Sequence, residues 1–240
     1  MSVTQPPAAA HTAVLLPGTA SDDVFVRAVF EVPLAAVGMA AVMPAPVRGP
    51  GHVAAYLAAF DEAAEAGQPI IAGGISLGAH LAVEWALKNR DRCAGLLLAL
   101  PGWTGAPDGA PAAVAARYSA AAVRELGPTA ATEAAVAGLD PWLAAELTRA
   151  WSGYGDDLAE ALDVAADHVA PTLDDLATLD IPCGVAGFTD DAVHPVEVAT
   201  AWAKALPQAT LCTTRLQIVG ADPEALGRAT VLAWLRAVTP

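Results

Sequence analysis

The sequence predicts an α/β protein: a mostly parallel sheet of about six strands, helices on both of its faces, and a helical insertion that reads as a lid. Three observations carry that expectation. Short apolar runs alternate with helix-like segments along most of the chain, as they do where parallel strands are joined by crossover helices. One apolar run, Pro69 to Gly73, passes through Gly74-Ile75-Ser76-Leu77-Gly78 straight into a helix. Between Trp103 and Pro171 the strand signals stop and helical ones take over.

The elements follow in order. Val14-Leu15-Leu16 is a short strand ending at Pro17-Gly18-Thr19, and a helix spans about Asp22 to Phe30 with Ser21 as its N-cap. Met39 to Met43 is the second strand. His52 to Ala66 is a helix stopped by Gly67. The third strand enters the Ser76 turn, and a helix runs from Leu77 to Asn89. Gly95 to Leu100 is continuously apolar, as a strand buried on both faces must be. Pro111 to Leu126, Thr129 to Ala137, Pro141 to Trp151 and Asp156 to His168 read as helices separated by Pro and Gly. Cys183 to Gly187 and Thr210 to Leu216 are the last strands, and Ala225 to Val238 is a closing helix. Residues 1–102 and 172–240 thus form the core, and 103–171 the lid over the strand ends.

Composition narrows the function classes. The formal net charge is −14, and the twelve Lys and Arg residues are scattered, so neither nucleic acid nor an anionic membrane is an expected partner. Lys88 and Lys204 lie in polar helical settings, unsuited to a Schiff base. The run from Val32 to Val47 is broken by Pro33, Pro44 and Pro46 and is too short for a membrane span. Met1 to Ala10 lacks the charge and apolar run of a signal peptide. Cys93, Cys183 and Cys212 are widely spaced, which fits a reducing, cytoplasmic setting. No Cys/His pair has zinc-ligand spacing, and no cofactor is implied. Gly49-Pro50-Gly51-His52-Val53-Ala54 matches a dinucleotide-binding turn in outline. It has a proline inside, and no acid lies between Glu65 and Glu84, so it reads as a loop. The oligomeric state is not specified.

The chemistry-bearing motif is G-x-S-x-G between a strand and a helix. A serine there sits on a tight, strained turn with its hydroxyl raised above the sheet edge, and side chains at Gly74 or Gly78 would crowd that turn. With the order of parts on either side, this resembles the α/β-hydrolase superfamily over nearly the whole chain. The sheet is shortened at its start, since about eleven residues precede the first strand. The resemblance implies Ser76 as nucleophile. It implies an oxyanion hole from the amides of Thr19, after the Leu15-Leu16-Pro17-Gly18 strand end, and Leu77, after the serine. Gly187-Phe188-Thr189-Asp190-Asp191-Ala192-Val193-His194-Pro195 resembles the acid loop, where the carboxylate four residues before the proline is Asp191, with Asp190 as the second choice; otherwise it is a solvated turn with two carboxylates.

The sequence departs from the family at the base. The expected loop, Leu216 to Pro223, contains no histidine. A serine hydroxyl needs an adjacent base, and the one histidine after Asp191 is His194, in the same loop, which is therefore the candidate. His11 precedes the first strand, and His52 starts a helix with a capping or surface role. His80, one turn after Ser76, packs or satisfies a backbone group, and His168 ends the lid. Trp103, Trp142 and Trp151 are packing residues or an acyl pocket. Asp156, Asp157, Asp163 and Asp167 form a solvated helix face. The implied activity is a serine hydrolase taking a small or medium carboxylic ester or thioester, with a small-molecule acyl substrate as its partner. The alternatives are a degenerate member that binds a small apolar ligand or a partner, and a member with non-hydrolytic chemistry.

Overall fold

The computed structural model describes residues 12–49 and 51–239. His11 and Pro50 lie outside the described residues. Strand β1 (Thr12–Leu16) leads to α1 (Asp23–Ala36), β2 (Ala40–Val42), α2 (His52–Ala64), β3 (Ile70–Ile75), α3 (Leu77–Lys88) and β4 (Cys93–Ala99). Four helices follow: α4 (Pro111–Leu126), α5 (Pro128–Val136), α6 (Pro141–Tyr154) and α7 (Leu158–Ala166). The chain closes with α8 (Leu173–Ala177), β5 (Cys183–Phe188), α9 (Val196–Ala205), β6 (Ala209–Thr214), α10 (Leu216–Val219) and α11 (Glu224–Val238).

The six strands form one sheet in the order β2-β1-β3-β4-β5-β6, and every pairing is parallel. The order reverses between β1 and β3. In open α/β sheets that reversal opens a crevice at the carboxyl ends of the strands. Ser76 follows β3 and Gly18-Thr19 follow β1, so both stand at its rim.

Alternate residues of each central strand feed two cores. Val14, Leu16, Ile70, Ala72, Leu96 and Leu98 pack under α2, α3 and α9. Ala13, Leu15, Ile71, Leu97 and Ala99 pack under α1 and α11. This is why the sequence of β4 is apolar at both phases of its alternation. A separate cluster joins the inserted helices, with Ala116, Ala120, Trp151, Leu158 and Leu162, and it includes Ala20 from the turn after β1. The insertion therefore packs against the crevice rim. Among the described residues no helix is long and apolar enough to cross a membrane.

Several boundaries differ from expectation. The N-cap of α1 is Asp22 rather than Ser21; its carboxylate accepts the Phe25 N–H at 3.0 Å. That helix also runs past Phe30 to Ala36 with Pro33 inside it. Proline has no N–H for the Val29 carbonyl four residues back. Gly227 of α11 approaches that carbonyl so closely that a Cβ on it would lie 1.9 Å from the Val29 oxygen. The kink-prone site is thus a helix–helix contact. The strand expected at Thr210 to Leu216 ends at Thr214, because Leu216 opens α10. The helix expected from Asp156 begins as a 3-10 turn and becomes α-helical at Leu158. Helix α8 was not anticipated. Its sequence signal is a capping box, in which Thr172 Oγ1 accepts the Asp175 N–H and Asp175 accepts the Thr172 N–H.

Candidate active site

Ser76 sits between β3 and α3 with φ 53° and ψ −112°, a region that non-glycine residues seldom occupy. The surroundings hold it there. Its N–H donates to Ala99 O at 2.9 Å, and its carbonyl accepts the N–H groups of Ala79 at 3.0 Å and His80 at 3.2 Å. The flanking glycines are steric requirements, since a Cβ on Gly74 or Gly78 would lie 2.5 or 2.4 Å from Leu16 O. The β1 end is thereby pressed against the start of α3.

His194 lies in the loop between β5 and α9. Its Nε2 is 3.0 Å from Ser76 Oγ, and its Nδ1 is 3.1 Å from Asp191 Oδ2. The Asp191 carboxylate also turns back to accept the Val193 N–H at 2.7 Å. That local bond folds residues 191–194 tightly enough for acid and imidazole to meet although three positions apart. Burial pushes the Asp191 carboxyl up, but the His194 hydrogen bond and charge, with the N–H groups of Val193 and His194, outweigh it and leave it below the usual carboxylate range. In the tautomer whose Nδ1–H donates to Asp191, Nε2 is the ring atom that accepts from the serine hydroxyl.

The neighbouring Asp190 has a different set of contacts. It accepts the N–H of Leu216 at 2.6 Å and of Gln217 at 3.4 Å, and pairs with Arg215 at 3.4 Å. It ties the start of α10, in the segment that has no histidine, to the acid loop. Gln217 is exposed and accepts from Arg215.

Gly18 packs on the elbow, with the position of a Cβ 3.3 Å from Ile75 O and 3.4 Å from Ser76 Cβ. The Thr19 and Leu77 N–H groups follow Gly18 and Ser76 directly. Among the described residues neither donates to a protein acceptor. Leu77 is the first residue of α3, where N–H groups are left without helical partners.

The other histidines lie elsewhere. His52 opens α2 but is buried, with Nδ1 3.2 Å from Gly49 O and its ring edge-on to Tyr56, so the surface role expected for it does not hold. His80 is fully buried behind the elbow, and His168 stacks on it. Of the tryptophans, Trp151 belongs to the core of the insertion, and Trp103 packs with Ala113 and Ala170. Asp163 pairs with Arg124 and Asp167 with Arg117. Among the described residues no group of His, Cys, Asp and Glu could hold a metal ion. Gly102 is a neighbour of Ser76 that the sequence reading did not single out. Its signal is its place directly after β4 in Leu100-Pro101-Gly102.

No protein-family model and no curated protein matches this sequence. Solved structures do match in three dimensions. A thermophilic esterase from Thermogutta terrifontis has a TM-score of 0.73 at 22% identity, covering 96% of this chain and 91% of that one. The enol-lactonase from Burkholderia xenovorans LB400 has a TM-score of 0.69 at 17% identity, over 96% and 93%. A structure from a study of carboxylesterases of the thaumarchaeon Nitrososphaera gargenis has a TM-score of 0.75 at 13% identity, over 98% and 93%. What is shared at these identities is architecture, along nearly the full length of both chains. The chain has the α/β-hydrolase fold.

Proposed function

We propose that this protein is a serine hydrolase acting on a small or medium carboxylic ester or thioester. The observation that carries the reading is the continuous hydrogen-bonded series Ser76 Oγ, His194, Asp191, at 3.0 and 3.1 Å. Similarity to esterases and a lactonase supports the reaction class, while the roles of individual residues rest on the site's geometry.

In this mechanism His194 Nε2 takes the Ser76 proton as Oγ attacks the acyl carbon. The carbonyl π pair moves onto oxygen, where the amides of Thr19 and Leu77 stabilise it. Asp191 orients the ring and stabilises the imidazolium. Collapse of the tetrahedral intermediate breaks the C–O or C–S bond, and His194 protonates the departing alcohol or thiol. Water, activated by the same imidazole, then releases the acid and restores Ser76. Residues 103–171 act as the lid. They pack on Ala20, beside Thr19, and Ser76 beneath is only 6% exposed.

The test is turnover of p-nitrophenyl acetate, p-nitrophenyl butyrate and a short acyl thioester. Saturable hydrolysis that Ser76→Ala removes is the expected result. Turnover that survives Ser76→Ala would contradict it, as would saturable binding of such ligands without turnover by the parent protein.

A further inference from the structure

Behind the elbow lies a buried aromatic cluster. His80, one turn after Ser76 on α3, is 0% exposed. Its ring stacks on Trp202 of α9 at 5.4 Å and on His168 at 5.8 Å, with Trp103 edge-on at 4.7 Å. Held in this way, its Nε2 accepts the Gly102 N–H at 3.1 Å. Gly102 in turn faces the nucleophile. A Cβ there would lie 3.8 Å from Ser76 Oγ, 3.8 Å from His80 Cε1 and 3.6 Å from Ala112 Cβ. Strand order explains why: Ser76 follows β3, Gly102 follows β4, and the His194 loop follows β5.

Building on the hydrolase reading, we infer that His80 is a positioning residue. By accepting the Gly102 N–H it fixes the 101–103 segment as the wall beside Ser76 Oγ, and it links that wall to the base of the inserted helices. One backbone conformation and one contact fit this role. Leu100, two residues before Gly102, has φ 52°, a conformation that persists where surrounding contacts over-determine the chain. Trp103, one residue after, donates its indole N–H to His168 O at 3.1 Å. Accepting from Gly102 requires Nε2 to be unprotonated. Burial first, then the neighbouring His168 and His194, hold the His80 imidazole neutral, well below the ordinary histidine range. Glu84 of the same helix lies 2.7 Å from His168 Nε2, out of line for a hydrogen bond, and so faces His168 rather than His80.

The distinguishing variants are His80→Gln, whose amide oxygen reaches the Nε2 position, and His80→Leu, which fills the space without an acceptor. Both are compared with the parent for fluorophosphonate labelling rate, for kcat and KM separately, and for thermal melting. We expect Gln to stay within about 5-fold of the parent in labelling rate and kcat. Leu should fall about 10–100-fold in both, the scale of a displacement of roughly 1 Å near the reacting atoms. Equal behaviour of Gln and Leu, whether unchanged or equally impaired, would overturn the acceptor role and leave packing alone. If His80→Leu does not fold, nitrogen NMR of the parent decides. A coupling between the Gly102 amide and His80 Nε2 supports the inference, and a protonated Nε2 overturns it. A parent that takes no label overturns the hydrolase reading and the positioning role with it. A labelled parent with indistinguishable variants overturns the positioning role only.

Discussion

His194 and Asp191 stand three residues apart in one loop, yet Nδ1 is 3.1 Å from Oδ2 and Nε2 remains 3.0 Å from Ser76. The acid and the base therefore share one support, the turn between β5 and α9. The segment after β6, which holds no histidine, is tied to the same loop through Asp190. Two adjacent carboxylates thus face opposite ways, one toward the imidazole and one toward a helix start.

That division makes the two aspartates separable. Asp191→Asn should lower kcat about 10²–10⁴-fold by removing the charge that orients and stabilises the imidazolium. Asp190→Ala should keep kcat within a few-fold and cost about 1 kcal/mol, the scale of a lost helix-start acceptor. Steady-state kinetics and urea denaturation of the two variants check both outcomes.

The Asp191 carboxyl also links stability to pH. Its folded-state value is depressed below the ordinary one of about 3.9, so in mild acid the unfolded chain takes up the proton first. The stability it contributes is present above the ordinary value and is lost as pH falls through the folded one. Asp191→Asn should therefore be less stable than the parent at pH 6, and the gap should narrow as pH falls below about 4. Denaturation curves across that range would show it; a gap that widens in acid would mean the opposite shift.

Gly78→Ala tests the steric account of the elbow. The added methyl would lie 2.4 Å from Leu16 O, a backbone atom of a buried strand that cannot swing away. We expect a loss of about 3 kcal/mol, at the upper end for overpacking, read as a fall in melting temperature.

The three thiols should separate by burial. Burial pushes Cys93 up to about 11 and raises Cys183 as well, whereas Cys212 is half-buried. Only thiolate reacts readily, so a thiol reagent at pH 8 should titrate one cysteine quickly in the native protein and all three in denaturant.

Much of this was legible in the sequence, for local reasons. The Leu96-Leu97-Leu98 run declares a strand buried on both faces, and two glycines around a serine between strand and helix declare the elbow. What escaped depends on contacts that residue order alone does not declare, one with a distant segment and two within tight turns. Pro33 argues for a helix end until Gly227 arrives to cover Val29 O. His52 looks like a surface helix start until the turn at Gly49 takes up its ring. The meeting of Asp191 with His194 is set by the Val193 N–H bond, a turn detail that residue spacing does not reveal.

The most direct measurement is intact mass after incubation with a fluorophosphonate, on the parent, Ser76→Ala and His194→Ala. We expect one adduct on the parent, none on Ser76→Ala, and labelling of His194→Ala slowed by at least about 10³-fold. An unlabelled parent, with the probe active on a control hydrolase, would contradict an activated Ser76. His194→Ala labelled as fast as the parent would contradict His194 as its base.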